Sequence, residues 1–136
     1  MTTQQTLVLL KPDAVKRQLI GQILSRFEQK GLKIINLRWF RFTQELARQH
    51  YAEHIGKPFY SGLEEYVMSG AAVAVILEGP EAVAVVRRLI GPTNGVEASP
   101  GTIRGDFSLS NQQNLVHASD SSASAEREIK IFFPAV

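Results

Sequence analysis

The segment NLVHASDSS, residues 114–122, places a histidine among side chains that support histidine chemistry. A neutral imidazole can act as a base, a nucleophile, a metal ligand or a structural core group. Ser119 and Asp120 follow His117 closely, and Glu128 lies eleven residues beyond it. A carboxylate that fixes the imidazole tautomer leaves the other ring nitrogen free to attack an electrophile. These neighbours favour a chemical role for His117 over a structural one.

Phosphate binding, if it occurs, must depend on side chains, because the chain has no GxxxxGK[ST] loop and no dinucleotide-binding fingerprint. Arginine and lysine can clamp phosphate oxygens, while threonine and asparagine can hold phosphate or ribose hydroxyls. Taken singly, such residues are usually solvated surface groups. Six candidates nevertheless lie at predicted element ends or around one long loop: Lys11, Arg87, Arg88, Thr93, Arg104 and Asn114. Spacing alone does not choose between the two adjacent arginines.

A zinc site is a rival interpretation of the sequence. HYAEH, residues 50–54, matches H-x-x-E-H, in which two histidines on one helix face bind zinc and the glutamate acts as a base. Such a site would make the protein a metallopeptidase. A match of five residues arises easily by chance, and no convincing third ligand lies downstream. The alternative for this segment is a solvated helix face with Tyr51 half buried.

Composition limits the possible classes of protein. A chain of 136 residues has the length of one domain, so we expect a single domain over residues 1–136. The net charge of +2 is too small to indicate a nucleic-acid or membrane surface. The chain has no cysteine, which excludes thiol catalysis and suits a reducing compartment. With no recognisable leader or spanning segment, we expect a cytoplasmic protein that needs neither membrane nor nucleic acid.

The elements that position these residues alternate between strand and helix patterns. Strands are predicted at residues 6–11, 32–42, 71–79 and 114–117, and helices at 12–18, 21–31, 44–55, 61–70, 81–91 and 121–133. Thr43 and Ser121 are suited to cap the helices that they precede. Residues 91–113, rich in Gly, Pro, Asn and Ser, form a loop long enough to suggest function. This order predicts an α+β sandwich with helices packed on a small, mainly antiparallel sheet.

Four segments together resemble nucleoside diphosphate kinase: KPDAV at 11–15, HY with PFY at 50–60, PGTIRGDF at 100–107 and NLVHASDS at 114–121. The resemblance runs from about Thr6 to the end of the chain. It implies a ferredoxin-like α+β sandwich with a four-stranded sheet. It also implies reversible transfer of a γ-phosphate, mainly from ATP, to a nucleoside diphosphate. The mechanism implied is ping-pong, through a phosphohistidine on His117, with Mg²⁺ as cofactor.

The resemblance also implies a role for each matching residue. His117 is the nucleophile, supported by Ser119 and Glu128, with Tyr51 and Glu53 as neighbours in the active site. Nucleotide-binding roles fall on seven residues: Lys11, Phe59, Leu63, Arg87, Thr93, Arg104 and Asn114. Phe59 stacks on the base beside Leu63, Asn114 binds ribose, and Arg87 matches the family arginine better than Arg88. Asp120 lies near the metal.

Two departures from the family pattern leave details open. Ala118 replaces the glycine of the commoner HGSD form, which would add strain if φ were positive there, although we expect alanine to be tolerated. Asn111 stands where the family often has an apolar residue against the base, so the polarity of the pocket and its base preference can differ from those of other members. The sequence ends at FFPAV, and of the implied homo-oligomers a hexamer is favoured over a tetramer. The other alternative is a catalytically silent nucleotide-binding module, although all the catalytic positions are occupied.

Overall fold

The computed structural model describes residues 3–134, so the two residues at each end of the predicted domain lie outside the described part. The strands are β1 Thr3–Leu10, β2 Lys33–Arg41, β3 Ala71–Pro80 and β4 Val116–Ala118. The α-helices are α1 Pro12–Lys16, α2 Ile20–Lys30, α3 Gln44–His50, α4 Tyr60–Val67, α5 Ala82–Ile90, α6 Ile103–Phe107 and α7 Ser122–Phe132. A short 3-10 helix spans Ala52–His54. None of the helices in the described range is both long and apolar enough to cross a membrane.

The four strands form one sheet in the order β2-β3-β1-β4, and every neighbouring pair is antiparallel. With its helices this is the predicted ferredoxin-like α+β sandwich. The central strand β1 pairs with β3 along its whole length, whereas β4 pairs with β1 only through three residues. In that short ladder Leu9 lies opposite His117, which attaches the histidine to the most buried part of the sheet.

Helices cover both faces of the sheet because the side chains of β1 alternate between two apolar clusters. Val8 and Leu10 belong to a cluster with residues of α1, α2, α5 and α6. Leu7 and Leu9 belong to a second cluster with residues of α3, α4 and α7. All four β1 side chains are essentially inaccessible to solvent. Strand β1 is therefore buried on both faces, and the edge strand β4 is paired directly to it.

The same alternation decides where His117 points. Val116 and Ala118 belong to the first cluster, so the residue between them faces the opposite side, towards α3 and α7. Helix α7 begins four residues after β4, at Ser122, and its N-cap is Ser121, whose hydroxyl accepts a hydrogen bond from the Ser124 N–H at 3.1 Å. This cap agrees with the sequence prediction.

Two elements differ from the sequence prediction. The helix expected over residues 44–55 ends at His50, and the chain turns through Tyr51 into the 3-10 helix. The long loop at residues 91–113 contains α6, whose N-cap Thr102 accepts a hydrogen bond from the Gly105 N–H at 2.9 Å. Gly105 explains part of the PGTIRGDF motif, since a Cβ there would lie 1.9 Å from the Ser99 carbonyl oxygen.

Ala118 has ordinary strand geometry, so alanine adds no strain there. The only non-glycine residues with positive φ in the range 3–134 are Gln18, Glu81 and Leu115. The unusual conformation near the histidine therefore lies at Leu115, where φ is 74°.

Candidate functional site

His117 and Glu128 form the centre of the site, where β4 meets α7. The Nε2 atom of His117 lies 2.9 Å from the Glu128 carboxylate, and the Ser119 hydroxyl donates to the same oxygen at 2.7 Å. Glu128 is only 4% exposed, and Ser119 is fully buried. Burial raises the pKa of Glu128, but the hydrogen bonds from His117 and Ser119 outweigh burial, and the pKa lies below its ordinary value. An ionised carboxylate only accepts, so it selects the tautomer that is protonated at Nε2 and leaves the Nδ1 lone pair free.

His50 packs directly against the central histidine. Its ring lies 4.7 Å from the ring of His117 in an edge-to-face arrangement, and Tyr51 and Phe132 surround it. Burial, and to a smaller extent the neighbouring His117, lowers the pKa of His50 to about 3. His50 is therefore uncharged near neutral pH, so it adds no positive charge beside the nucleophile.

The zinc interpretation of HYAEH conflicts with this arrangement. Helix α3 ends at His50, so His50 and His54 do not share one helix face. His54 instead packs against Phe59, with ring centroids 5.4 Å apart, while His50 contacts His117. Among the described residues, the possible metal ligands that lie close to His50 are His117 and Glu128, and His54 is not one of them.

A second group of polar residues lies at the end of β1. The Lys11 ammonium donates to the Asn114 side-chain oxygen at 2.9 Å. The Asn114 amide in turn donates to the carbonyl oxygens of Thr93 at 2.9 Å and Asn111 at 3.0 Å. Burial, together with the smaller effect of the nearby Arg104, lowers the pKa of Lys11 to about 8 against the opposing effect of Asp13. The cation is therefore poorly solvated, which makes it ready to pair with an anion.

The arginines occupy different positions. Arg87 donates to the Ala118 carbonyl oxygen at 3.2 Å and lines a cavity beside His117. Arg88 is exposed and lines none of the cavities near the histidine. Arg104 is buried, and its guanidinium donates to the carbonyl oxygens of Gly91, Asn114 and Val116 at 2.9, 3.2 and 2.7 Å. Those bonds use three of its five N–H groups and leave two for another acceptor.

Two adjoining cavities collect most of the predicted site residues. The larger, of about 660 Å³, is lined among others by Lys11, Tyr51, Phe59, Leu63, Thr93 and Asn114. The smaller, of about 200 Å³, is lined among others by Tyr51, Glu53, Arg87, His117, Asp120 and Glu128. Tyr51 and His54 border both, so the two cavities lie side by side. Ser119 and Arg104 support the walls from behind rather than lining either cavity.

Asp120 is an exposed carboxylate that lines the smaller cavity beside His117. A hydrogen bond from Ser124 lowers its pKa from the ordinary value. An ionised, solvent-facing carboxylate suits a hard cation such as magnesium. The possible metal-ligand atoms of His50, His117 and Glu128 also lie within 4.8 Å of one another. In this group, however, His117 and Glu128 are already joined by the hydrogen bond at the centre of the site.

Sequence reasoning missed some residues of the site. His50 was considered only as a zinc ligand, and the structure places it behind His117. Gln112 was not singled out in the sequence, and it lines the larger cavity together with the predicted Asn111, Phe59 and Leu63. The Gly and Pro content of residues 91–113 gave no signal of which loop residues turn inwards.

Comparison with known proteins identifies the arrangement. A sequence model described as nucleoside diphosphate kinase matches residues 4–136. The nucleoside diphosphate kinase of Staphylothermus marinus is 60% identical over 133 residues, which cover 98% of this chain and 94% of that protein. The one from Rhodopirellula baltica is 58% identical over 132 residues, covering 97% and 87%.

A solved structure agrees with the sequence comparisons. The halophilic nucleoside diphosphate kinase from Halobacterium salinarum, in complex with CDP, superposes with a TM-score of 0.94 at 46% identity. The match covers 97% of this chain and 88% of that one. Because the family model matches nearly the whole chain and these relatives are 58% and 60% identical to it over the same length, the chain belongs to the nucleoside diphosphate kinase family.

Proposed function

We propose that His117 carries the phosphoryl group as this chain transfers a γ-phosphate, mainly from ATP, to a nucleoside diphosphate. The hydrogen bond between His117 and Glu128 is the observation that supports this role best, because it leaves Nδ1 as the nucleophilic nitrogen. Nδ1 forms a bond to the γ-phosphorus while the bond to the β-phosphate oxygen breaks. The diphosphate product leaves, and a second nucleoside diphosphate reverses the step.

Cations around the phosphate oxygens supply the electrostatic part of catalysis. Phosphoryl transfer passes through a loose, highly charged transition state, so placement and charge matter more than covalent assistance. In this proposal Lys11, Arg87 and Arg104 surround the transferred group, with Thr93 as a further phosphate ligand. Arg104 contributes its positive charge from behind the cavity wall, where its guanidinium holds the carbonyl oxygens of Gly91, Asn114 and Val116. Tyr51 and Glu53 line the same space.

The larger cavity is the proposed site for base and ribose. Phe59 is 53% exposed, which is unusual for a phenylalanine and leaves its ring available for stacking. Leu63 lies beside it, and Asn114 with Lys11 forms the inner end that holds ribose and phosphate. Stacking discriminates little between bases, so a broad range of nucleotides is expected. The amide of Asn111 gives this pocket a polar group on its wall.

Magnesium is the proposed cofactor. Asp120 and the phosphate oxygens of a nucleotide provide the hard oxygen ligands that Mg²⁺ prefers. Bound there, magnesium neutralises charge on the phosphate chain and holds it in position. Asp120, which lines the same cavity as Arg87, is the residue that would hold the metal.

Association into a homo-oligomer, a hexamer rather than a tetramer, belongs to the same proposal. Strand β2 lies at the edge of the sheet, and Leu37 and Trp39 on it are 47% and 61% exposed. An exposed apolar edge strand favours pairing with another chain. We place the assembly in the cytoplasm, a setting that suits a chain without cysteine.

Initial-rate kinetics test the proposal. With ATP and a nucleoside diphosphate varied together, a ping-pong enzyme gives parallel lines in double-reciprocal plots. Intersecting lines would contradict a phosphorylated enzyme intermediate. Nucleotide binding with no transfer at all would support the silent binding module instead.

A further inference from the structure

The chain makes a strained turn immediately before β4, the strand that carries His117. The Val116 N–H donates to the Asn114 carbonyl oxygen at 2.8 Å, two residues back, and the residue between them, Leu115, has φ of 74°. This is a γ-turn of the rare kind with positive φ, a strained conformation for a leucine. Such strain persists only where the surroundings hold it.

The turn is important because of the residues on either side. Asn114, before it, contacts Lys11 in the nucleotide cavity, and His117 lies two residues after Leu115. If φ of Leu115 became negative, the side chains of Asn114 and His117 would rotate relative to each other. The direction of the histidine therefore depends on whatever keeps φ positive.

Asp13 holds the turn from the opposite side. One of its carboxylate oxygens accepts the Leu115 N–H at 3.1 Å, and its other oxygen accepts the hydroxyl of Tyr66. Asp13 is only 9% exposed, and Leu115 is fully buried. The Leu115 carbonyl oxygen accepts the Lys11 N–H at 2.8 Å, so both backbone groups of the strained residue have partners.

Tyr66 connects this contact to the nucleotide cavity. It lies on α4, which begins directly after Phe59 and carries Leu63, so one helix provides both the wall for the base and the partner of Asp13. A hydrogen-bonded path thus runs from α4 through Tyr66 and Asp13 to Leu115.

We propose that Asp13 and Tyr66 are positioning residues, which act through the turn at Leu115 to orient Asn114 and His117 for phosphoryl transfer. Neither touches the reacting atoms. Their contribution is geometric: a misplacement of about 1 Å at a reacting group can reduce the rate about 100-fold. The inference rests on the proposed function, since its readout is phosphorylation of His117.

The test compares Tyr66→Phe, Asp13→Ala and Asp13→Asn by rapid single-turnover labelling with saturating γ-labelled ATP. We expect the labelling rate to fall about 10- to 100-fold in Asp13→Ala, and by a smaller factor in Tyr66→Phe. Asp13→Asn should keep most of the rate, because its amide oxygen can accept from Leu115 while its NH₂ donates to the tyrosine oxygen. This recovery separates positioning from a role of the Asp13 charge.

Tyr60→Phe is the matched control, because Tyr60 lies on the same helix and makes no hydrogen bond to Asp13 or to the turn within residues 3–134. It should leave the labelling rate unchanged. Thermal unfolding of each variant establishes the temperature range in which the protein is folded. A normal labelling rate per folded molecule in Asp13→Ala would overturn the inference, and so would an Asp13→Asn variant as slow as Asp13→Ala. If the unaltered protein is not labelled at all, the proposed function fails instead.

Discussion

Replacing Glu128 by glutamine tests how the site activates its histidine. The change keeps the size of the side chain and removes its charge. A glutamine oxygen in the place of the contacted carboxylate oxygen can still accept from both Ser119 and His117, so Nε2 stays protonated. The negative charge beside the imidazole is lost, and with it the stabilisation of the positive charge that the ring gains when Nδ1 bonds to phosphorus.

The magnitude follows from the charge that is lost. His117 donates to a 4% exposed carboxylate at 2.9 Å, and a hydrogen bond to a charged group contributes about 1.5–3 kcal/mol. Since each 1.4 kcal/mol is a factor of ten, transfer should slow about 10- to 150-fold. The loss should appear in kcat more than in KM, because Glu128 contacts the nucleophile and does not line the larger cavity.

Steady-state transfer from ATP, measured with saturating acceptor, is the appropriate assay. Glu126→Gln is the matched control, since Glu126 lies on the same helix but is exposed and does not line the cavity of His117. The control should be as active as the unaltered protein. A Glu128→Gln variant with kcat within about twofold of normal would refute the role of the Glu128 charge.

Three further predictions concern the nucleotide, the cation and the metal. Phe59→Ala should weaken binding of every nucleotide by about 1–3 kcal/mol, measured by titration; an effect on purines alone would contradict stacking. Because burial lowers the pKa of Lys11 to about 8, kcat/KM should decrease as pH rises through that value and the ammonium loses its charge. Lys11→Arg should remove this alkaline decrease, and a decrease that persists would assign it to another group. Excess EDTA should abolish transfer and magnesium alone should restore it, whereas full activity in EDTA would exclude the metal.

Local pattern was sufficient to predict most of the fold. The alternation along β1 and β3 and the glycine at the end of α2 have direct physical meaning, because strands repeat every two residues and Gly31 adopts a positive φ of 106°. Local sequence pattern did not predict that α3 ends at His50. Tertiary packing of His50 against His117 and Phe132 decides where that helix stops, and those contacts join residues far apart in sequence.

The candidate site, like the fold, could be predicted only in part from the sequence. Side-chain types suggested phosphate binding, but only the family resemblance chose Arg87 over Arg88, and the structure places Arg87 beside His117. Arg104 was expected to bind phosphate directly, and its three carbonyl contacts also make it a support for the loop. The turn at Leu115 had no signal in the sequence, since leucine rarely adopts positive φ.

Labelling of the protein with ATP that carries a labelled γ-phosphate, without an acceptor, tests the central role of His117 most directly. The account predicts a labelled chain whose phosphate is lost in acid and retained in base, as expected for phosphohistidine and opposite to phosphoserine at Ser119, Ser121 or Ser122. His117→Ala should lose labelling and transfer together while it still binds nucleotide. An acid-stable label, or an alanine variant that transfers phosphate at a comparable rate, would contradict the account.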